Sequence, residues 1–130
     1  MTSKIRALLE AKRQIESESQ ELHRKLNDGR HNPTEALVSR VAKIDRQLSM
    51  MSVWLNLLNE DEAFVIQRHL IDGIDFPRTV VEFAEKWGVE YAKTERTLQS
   101  YQRKALAKIH KFVVAQQNLT GDDYDNAMML

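Results

Sequence analysis

The sequence predicts an all-α fold: an N-terminal antiparallel helical hairpin, then a three-helix unit whose last two members form a helix-turn-helix. Three observations carry this. Apolar residues recur at spacings of three and four in two successive runs, N-cap and glycine stop signals bracket the later segments, and the last long helix concentrates cationic side chains. The expected organisation is residues 1–58 as the hairpin, for assembly or packing, 59–113 as the helix-turn-helix unit, and 114–130 as an acidic, partly disordered tail. At 130 residues and 42% hydrophobic content, the chain suits one domain, or a small domain with an appendage, and a modest helical core.

The first seam runs Ile5, Leu8, Ile15, Leu22 and Leu26, with Lys12 and Ser19 filling the remaining heptad places. It stops at Asn27-Asp28-Gly29-Arg30-His31-Asn32-Pro33, where glycine and proline punctuate. An uninterrupted second seam follows at Leu37, Val41, Ile44, Leu48, Met51, Leu55 and Leu58. Each seam corresponds to about 33 Å of helix at 1.5 Å per residue, so two equal helices joined by a short turn suggest the hairpin. Val38, Val53, Trp54 and Leu57 add apolar surface outside the second seam, to be covered by the following module or by another copy of the chain. The hairpin therefore either completes the core or makes a dimer, and the polar seam residues Lys12 and Ser19 weaken a pure coiled-coil reading.

Asn59 with Glu62 three residues on resembles a capping box, and Glu60, Asp61 and Glu62 favour the positive end of a helix. Phe64, Val65, Leu70 and Ile71 supply its expected buried side, and Gly73 ends it. A second helix is expected from about Thr79 to Trp87, burying Val80, Phe83, Ala84 and Trp87, with Gly88 as its stop and Val89 and Tyr91 anchoring the turn. Thr94 caps the final helix, with Leu98, Tyr101, Ala105, Ile109 and Phe112 along its buried face.

The zero net charge hides a segregation: residues 1–58 carry net +3, 59–92 net −5, 93–111 net +5 and 112–130 net −3. The cationic stretch holds Lys93, Arg96, Arg103, Lys104, Lys108 and Lys111 against Glu95 alone. Such a concentration attracts a phosphate backbone. Facing outward on that helix are Glu95, Arg96, Gln99, Ser100, Gln102, Arg103, Lys104 and Lys108. Arginine and glutamine suit base edges in the major groove, lysines and hydroxyls suit phosphate oxygens, and the helix start around Thr94 to Thr97 offers backbone amides to a phosphate. A plain solvated face is the competing reading; the excess of base over acid on the second helix of a helix-turn-helix favours DNA. The absence of cysteine excludes disulfides and thiolate metal sites. No signal-peptide core and no membrane-spanning stretch is evident, so a soluble chain in the cytoplasm is expected.

Leu58-Asn59-Glu60-Asp61-Glu62-Ala63-Phe64-Val65-Ile66, running on to Gly73, resembles the opening helix of sigma-factor region four. Phe83-Ala84-Glu85-Lys86-Trp87-Gly88-Val89 is similar to that region's Ile-Ala-Glu-x-Leu-Gly-Ile segment, and residues 95–109 to its recognition helix, with Thr97 and Leu98 on the Thr-Val pair. The combination most resembles the ArpU-type regulators of phages and prophages in Gram-positive bacteria, over residues 58–112 in motif and over 1–57 in architecture only. Eight residues separate Gly88 from Thr97, where region four has about four. The extra turn of chain is either a longer turn or an earlier helix start, and it leaves open which of Lys93, Arg96, Gln99, Ser100 and Arg103 reach base edges.

The resemblance implies a sequence-specific DNA-binding regulator, a late-gene activator acting in the bacterial host cytoplasm. Its last helix would enter the major groove, with Arg78 and Lys86 on phosphates and Lys93, Thr94, Arg96, Thr97, Gln99, Ser100, Arg103, Lys104 and Lys108 completing the surface. Expected partners are double-stranded promoter DNA, RNA polymerase, and a second copy through the N-terminal helices, with no membrane, no cofactor and no metal. The alternatives are a sigma-like polymerase subunit with weak DNA affinity of its own, and a phage packaging or assembly protein. An enzyme is not expected: His23, His31, His69 and His110 show no metal-ligand spacing, and no phosphate loop or nucleophile elbow is present.

Overall fold

The computed structural model describes residues 2–28 and 34–129, and every described element is helical. The glycine and proline expected to punctuate the first connection, Gly29 and Pro33, and also His31, lie outside the described residues. In order the helices are α1 (Thr2–Glu10), α2 (Lys12–Asn27), α3 (Glu35–Asn56), α4 (Glu60–Val65) continuing as a π-helical segment (Ile66–Ile71), α5 (Phe76–Trp87), α6 (Glu95–Thr120) and α7 (Asp122–Ala127). No helix among the described residues is long and apolar enough to cross a membrane.

The first seam is not one rod. Ala11, at φ −89° and ψ −2°, breaks it into α1 and α2, although Ala11 N still donates to Ala7 O and Ile15 N to Ala11 O. The reason is the wider apolar face of α1, where Leu9 joins Ile5 and Leu8 in full burial. That face packs against α6, the π segment and α3, so α1 turns away to meet them. α2 stays on α3: Glu18 pairs with Arg40 and His23 with Asp45, while Lys12 and Glu16 share a groove with Ser52 and Leu55.

α3 begins at Thr34, whose hydroxyl accepts from Leu37 N at 3.1 Å. It is buried on two sides. Val41, Ile44 and Met51 belong to the seam, whereas Gln47, Met50 and Trp54 lie under the C-terminal residues. The Trp54 indole donates to the Tyr124 hydroxyl at 2.8 Å, and Gln47 Nε2 donates to Met129 O at 2.9 Å. Trp54 is thus covered within its own chain, while Val38, Val53 and Leu57 stay exposed.

The segment expected as a partly disordered tail is ordered into helix. α6 runs on to Thr120, Gly121 turns the chain at φ +66°, and α7 brings Ala127 and Met128 into the core. Its apolar residues supply the cover that α3 needs, which composition alone did not reveal. The main core accordingly draws on α1, α2, α3, the π segment, α6 and α7, and runs across residues 58 and 113. A second, smaller cluster of Val65, Phe83 and Leu98, ringed by Phe64, Phe76, Val80, Trp87 and Tyr101, joins α4, α5 and α6. Its aromatic rings meet edge-on or tilted, Phe64 lying 5.6 Å from Phe83 and 5.0 Å from Trp87.

Candidate nucleic-acid interface

Three helices set this surface. Asn59 and Glu62 form a complete capping box at the start of α4, each side chain accepting from the other residue's backbone N–H. The expected single helix to Gly73 then widens into the π segment, where Asp72 N donates to Gln67 O at 2.8 Å. The Asp72 carboxylate, only 4% exposed, explains the winding: Arg13 of α2 reaches it at 2.7 Å and Arg68 at 2.8 Å. Arg68 in turn holds Glu82 of α5 at 2.7 Å, and Arg78 lies 3.4 Å from the same carboxylate. These guanidiniums, Arg68 foremost, hold the Glu82 carboxyl below its ordinary range.

α5 starts three residues before the expected Thr79. Asp75 accepts from Arg78 N at 2.9 Å, and Pro77 falls in the first turn, where no intrahelical donor is needed. Thr79 is wholly buried, its hydroxyl donating to Asp75 O at 2.7 Å. Gly88 ends the helix at φ +102°, a conformation that disfavours a side chain. Val89–Tyr91 then form a single 3₁₀ turn, so the added residues make a longer turn and α6 starts at Glu95. Val89 and Tyr91 do not anchor that turn: they are 83% and 58% exposed. Backbone bonds close it instead, Tyr91 N donating to Gly88 O and Ala92 N to Val89 O.

Thr94 caps α6, its hydroxyl accepting from Thr97 N at 3.2 Å and lying 3.0 Å from the Thr97 hydroxyl. Beyond the cap, Arg96, Gln99, Arg103 and Lys104 are exposed and Ser100 is half-buried. Helical spacing places Arg96, Ser100, Arg103, Ala107 and Lys111 on one face, with Lys104 at its border. Among the described residues Arg96, Arg103, Lys104 and Lys111 have no ion-pair partner, and Gln99 leans on Glu95 at 3.4 Å. Lys111 was not among the expected contact residues. It lies two turns beyond Lys104, and its signal was the same excess of cations that singled out the others.

Two expected outward residues do other work. Gln102 is buried beside Leu98, Ala105, Leu106 and Ile109, because the buried face of α6 is turned toward Leu106 and Val113 and leaves Tyr101 and Phe112 at its edge. Its Oε1 has no hydrogen-bond partner among the described residues. Lys108 Nζ donates to Glu62 Oε1 at 2.6 Å, and the Glu62 side chain is 3% exposed. Of the other expected residues, Arg78 is exposed beside Glu82, and Lys86 holds its ammonium 4.9 Å from the Trp87 ring centre and 5.4 Å from that of Phe64. Lys93 is half-buried at the foot of the turn.

His69 serves the fold. Its Nδ1 lies 2.8 Å from Ile74 O, a geometry that requires this nitrogen to donate, and its ring stacks on Phe76. No family model matches the chain, and neither a curated protein nor a solved structure matches it.

Proposed function

We propose that this chain is a non-catalytic, sequence-specific DNA-binding transcriptional regulator of the ArpU type, its last long helix lodging in the major groove. The observation that carries the reading is the row of unpaired cations on the exposed face of α6: Arg96, Arg103, Lys104 and Lys111. From Arg96 to Lys111 this row extends about 22 Å at 1.5 Å per residue, enough to follow a groove and meet phosphates beyond it. In a helix-turn-helix reading, α5 crosses the backbone and the N-terminal part of α6 meets the bases. Arg96, Gln99, Ser100 and Arg103 then face base edges, while Lys104, Lys111 and Arg78 face phosphates. The resemblance of residues 58–112 to sigma region four supports the same docking. The residues of α2 and α3 serve as the arm that pairs protomers or meets RNA polymerase, in the cytoplasm of a bacterial host.

The test is duplex binding by the full chain, with a pool of random duplexes selected through several rounds and affinity measured against salt. A steep fall of affinity with salt is expected, of about 0.9 in log–log slope per phosphate neutralised. Arg103→Ala should cost about 1–3 kcal/mol and relax preference at one base pair, whereas Lys104→Ala should weaken all sequences alike and lower the slope by about one. A chain that retards no duplex at low salt overturns the reading.

A further inference from the structure

A groove runs along α3 on the side where α7 covers it. Two hollows of about 330 and 340 Å³ open there, one lined by Arg46, Met50, Thr120, Tyr124 and Ala127, the other by Ser39, Ala42, Lys43, Arg46, Asn126 and Ala127. They share Arg46 and Ala127, so they adjoin. From Ser39 to Met50 the groove follows α3 for about 17 Å at 1.5 Å per residue. Its floor is apolar and fixed: Met50 and Ala127 are core residues, and the Tyr124 hydroxyl is held by the Trp54 indole N–H at 2.8 Å.

The lining carries one sign of charge. No carboxylate lines either hollow among the described residues, and Lys43 and Arg46 have no ion-pair partner there. Both are exceptions within α1–α3, where every other described cation except Lys25 is held by a carboxylate. The nearby acids are turned elsewhere. Asp45 faces His23 and Ser19 of α2, and Asp125, the acid of α7 whose side chain is described, faces Lys4 and Gln117. Glu35 lies eight residues before Lys43, about 12 Å away along the helix axis.

A cationic rim over an apolar floor selects an anion that also brings apolar surface. A duplex offers the charge but gains nothing from Met50 and Ala127. Lys43 and Arg46 are three residues apart, about 4.5 Å along α3, a spacing matched by two carboxylates one turn apart on a facing helix. A monocarboxylate satisfies one cation and leaves the other. We infer that the α3–α7 groove is a docking site for an acidic amphipathic segment of a partner protein. Its apolar side chain rests on Met50, Tyr124 and Ala127, and its two carboxylates take Lys43 and Arg46.

The experiment is selection from a displayed library of random 12-residue peptides against the full chain. The enriched synthetic peptides are then titrated into wild type, Lys43→Glu/Arg46→Glu and, as a control for charge alone, Arg96→Glu/Arg103→Glu. The expected peptides carry two acids three or four residues apart beside a bulky apolar residue. Lys43→Glu/Arg46→Glu should weaken them at least tenfold, and the control by less than about twofold. Versions with both acids replaced by lysine should regain affinity for Lys43→Glu/Arg46→Glu, which a merely damaged fold would not allow. Backbone amide shifts in wild type should cluster at residues 39–50 and 124–127 and spare 96–104. Sodium decanoate, which brings an apolar body with one carboxylate, should leave those amides in place. Enrichment of no peptide, or of neutral or basic ones, overturns the inference. So does equal loss in both double variants, a set of shifts confined to α6, or saturation of the groove by decanoate in place of peptide. Duplex affinity enters none of these readouts, so the result stands apart from the fate of the DNA reading.

Discussion

Lys108 illustrates how one partner decides what a cation does. Its charge and outward spacing on α6 make it a plausible phosphate contact, yet its ammonium sits 2.6 Å from a carboxylate that water barely reaches. Glu62 Oε1 also takes the Asn59 backbone N–H at 3.1 Å, so one oxygen ties the cap of α4 to the middle of α6. Removing the ammonium strands a buried carboxylate, which is costlier than removing the pair. Lys108→Ala should therefore destabilise the chain by about 1–3 kcal/mol, and Glu62→Gln/Lys108→Ala should lose less than the sum of the singles, by at least about 0.5 kcal/mol. Denaturant melts of the four proteins measure the coupling; additive losses would show that the two groups act independently. In duplex titrations Lys108→Ala should leave the salt slope unchanged, unlike Lys104→Ala. The caps at Asn59 and Thr94 were legible beforehand because a cap involves residues three apart. Lys108 was not, because its role depends on α4 placing Glu62 against it, and Gln102 was not, because its burial depends on how the face of α6 is turned into the core.

Helix ends were legible where a glycine enforces them, at Gly73 and Gly88, both with positive φ. The π winding of Ile66–Ile71 was not, since Asp72 is held by Arg13 from a helix that sequence reading could not place beside it. The start of α5 lies three residues before the expected one, although Asp75 and Pro77 announce it: aspartate suits the cap and proline the first turn, where no intrahelical donor is needed. The ion pairs that join these elements also predict a pH response. Arg68 donates to both oxygens of Glu82, at 2.7 and 2.9 Å, and holds that carboxyl below its ordinary 4.5. A carboxyl depressed in the folded state contributes stability that is present above its unfolded value and lost as pH falls through its folded one. Glu18, held down by Arg40 between α2 and α3, acts in the same direction. Urea midpoints measured at pH 6 and pH 3 should converge between wild type and Glu82→Gln as pH drops. A gap of constant size at both values would show that Glu82 titrates as it does in the unfolded chain.

At the scale of the whole chain, the sign of charge is sorted by surface. The cationic row lies on α6, and the C-terminal residues lie against α3. Whether the acidic C-terminus covers the cationic row is a question of placement that composition cannot answer. Asp125 lies 3.4 Å from Lys4 and 3.3 Å from Gln117, and Met129 O accepts from Gln47, all far along the chain from Arg96 and Arg103. The C-terminus is therefore a clasp on the core and not a shield on the helix. Deleting residues 121–130 removes the buried Met128 and Ala127 and takes away both the cover of Trp54 and the hydroxyl that accepts its indole N–H. Burial of a methionine side chain is worth about 1.5–3 kcal/mol, and the uncovered Trp54 ring adds to the loss. The shortened chain should melt at a lower temperature, with tryptophan emission shifted to longer wavelength as Trp54 meets water. Its duplex affinity, measured where it is still folded, should not rise. Tighter duplex binding with an unshifted tryptophan spectrum would mean that the C-terminus leaves α3 in solution and lies over α6, and the clasp would have to be abandoned.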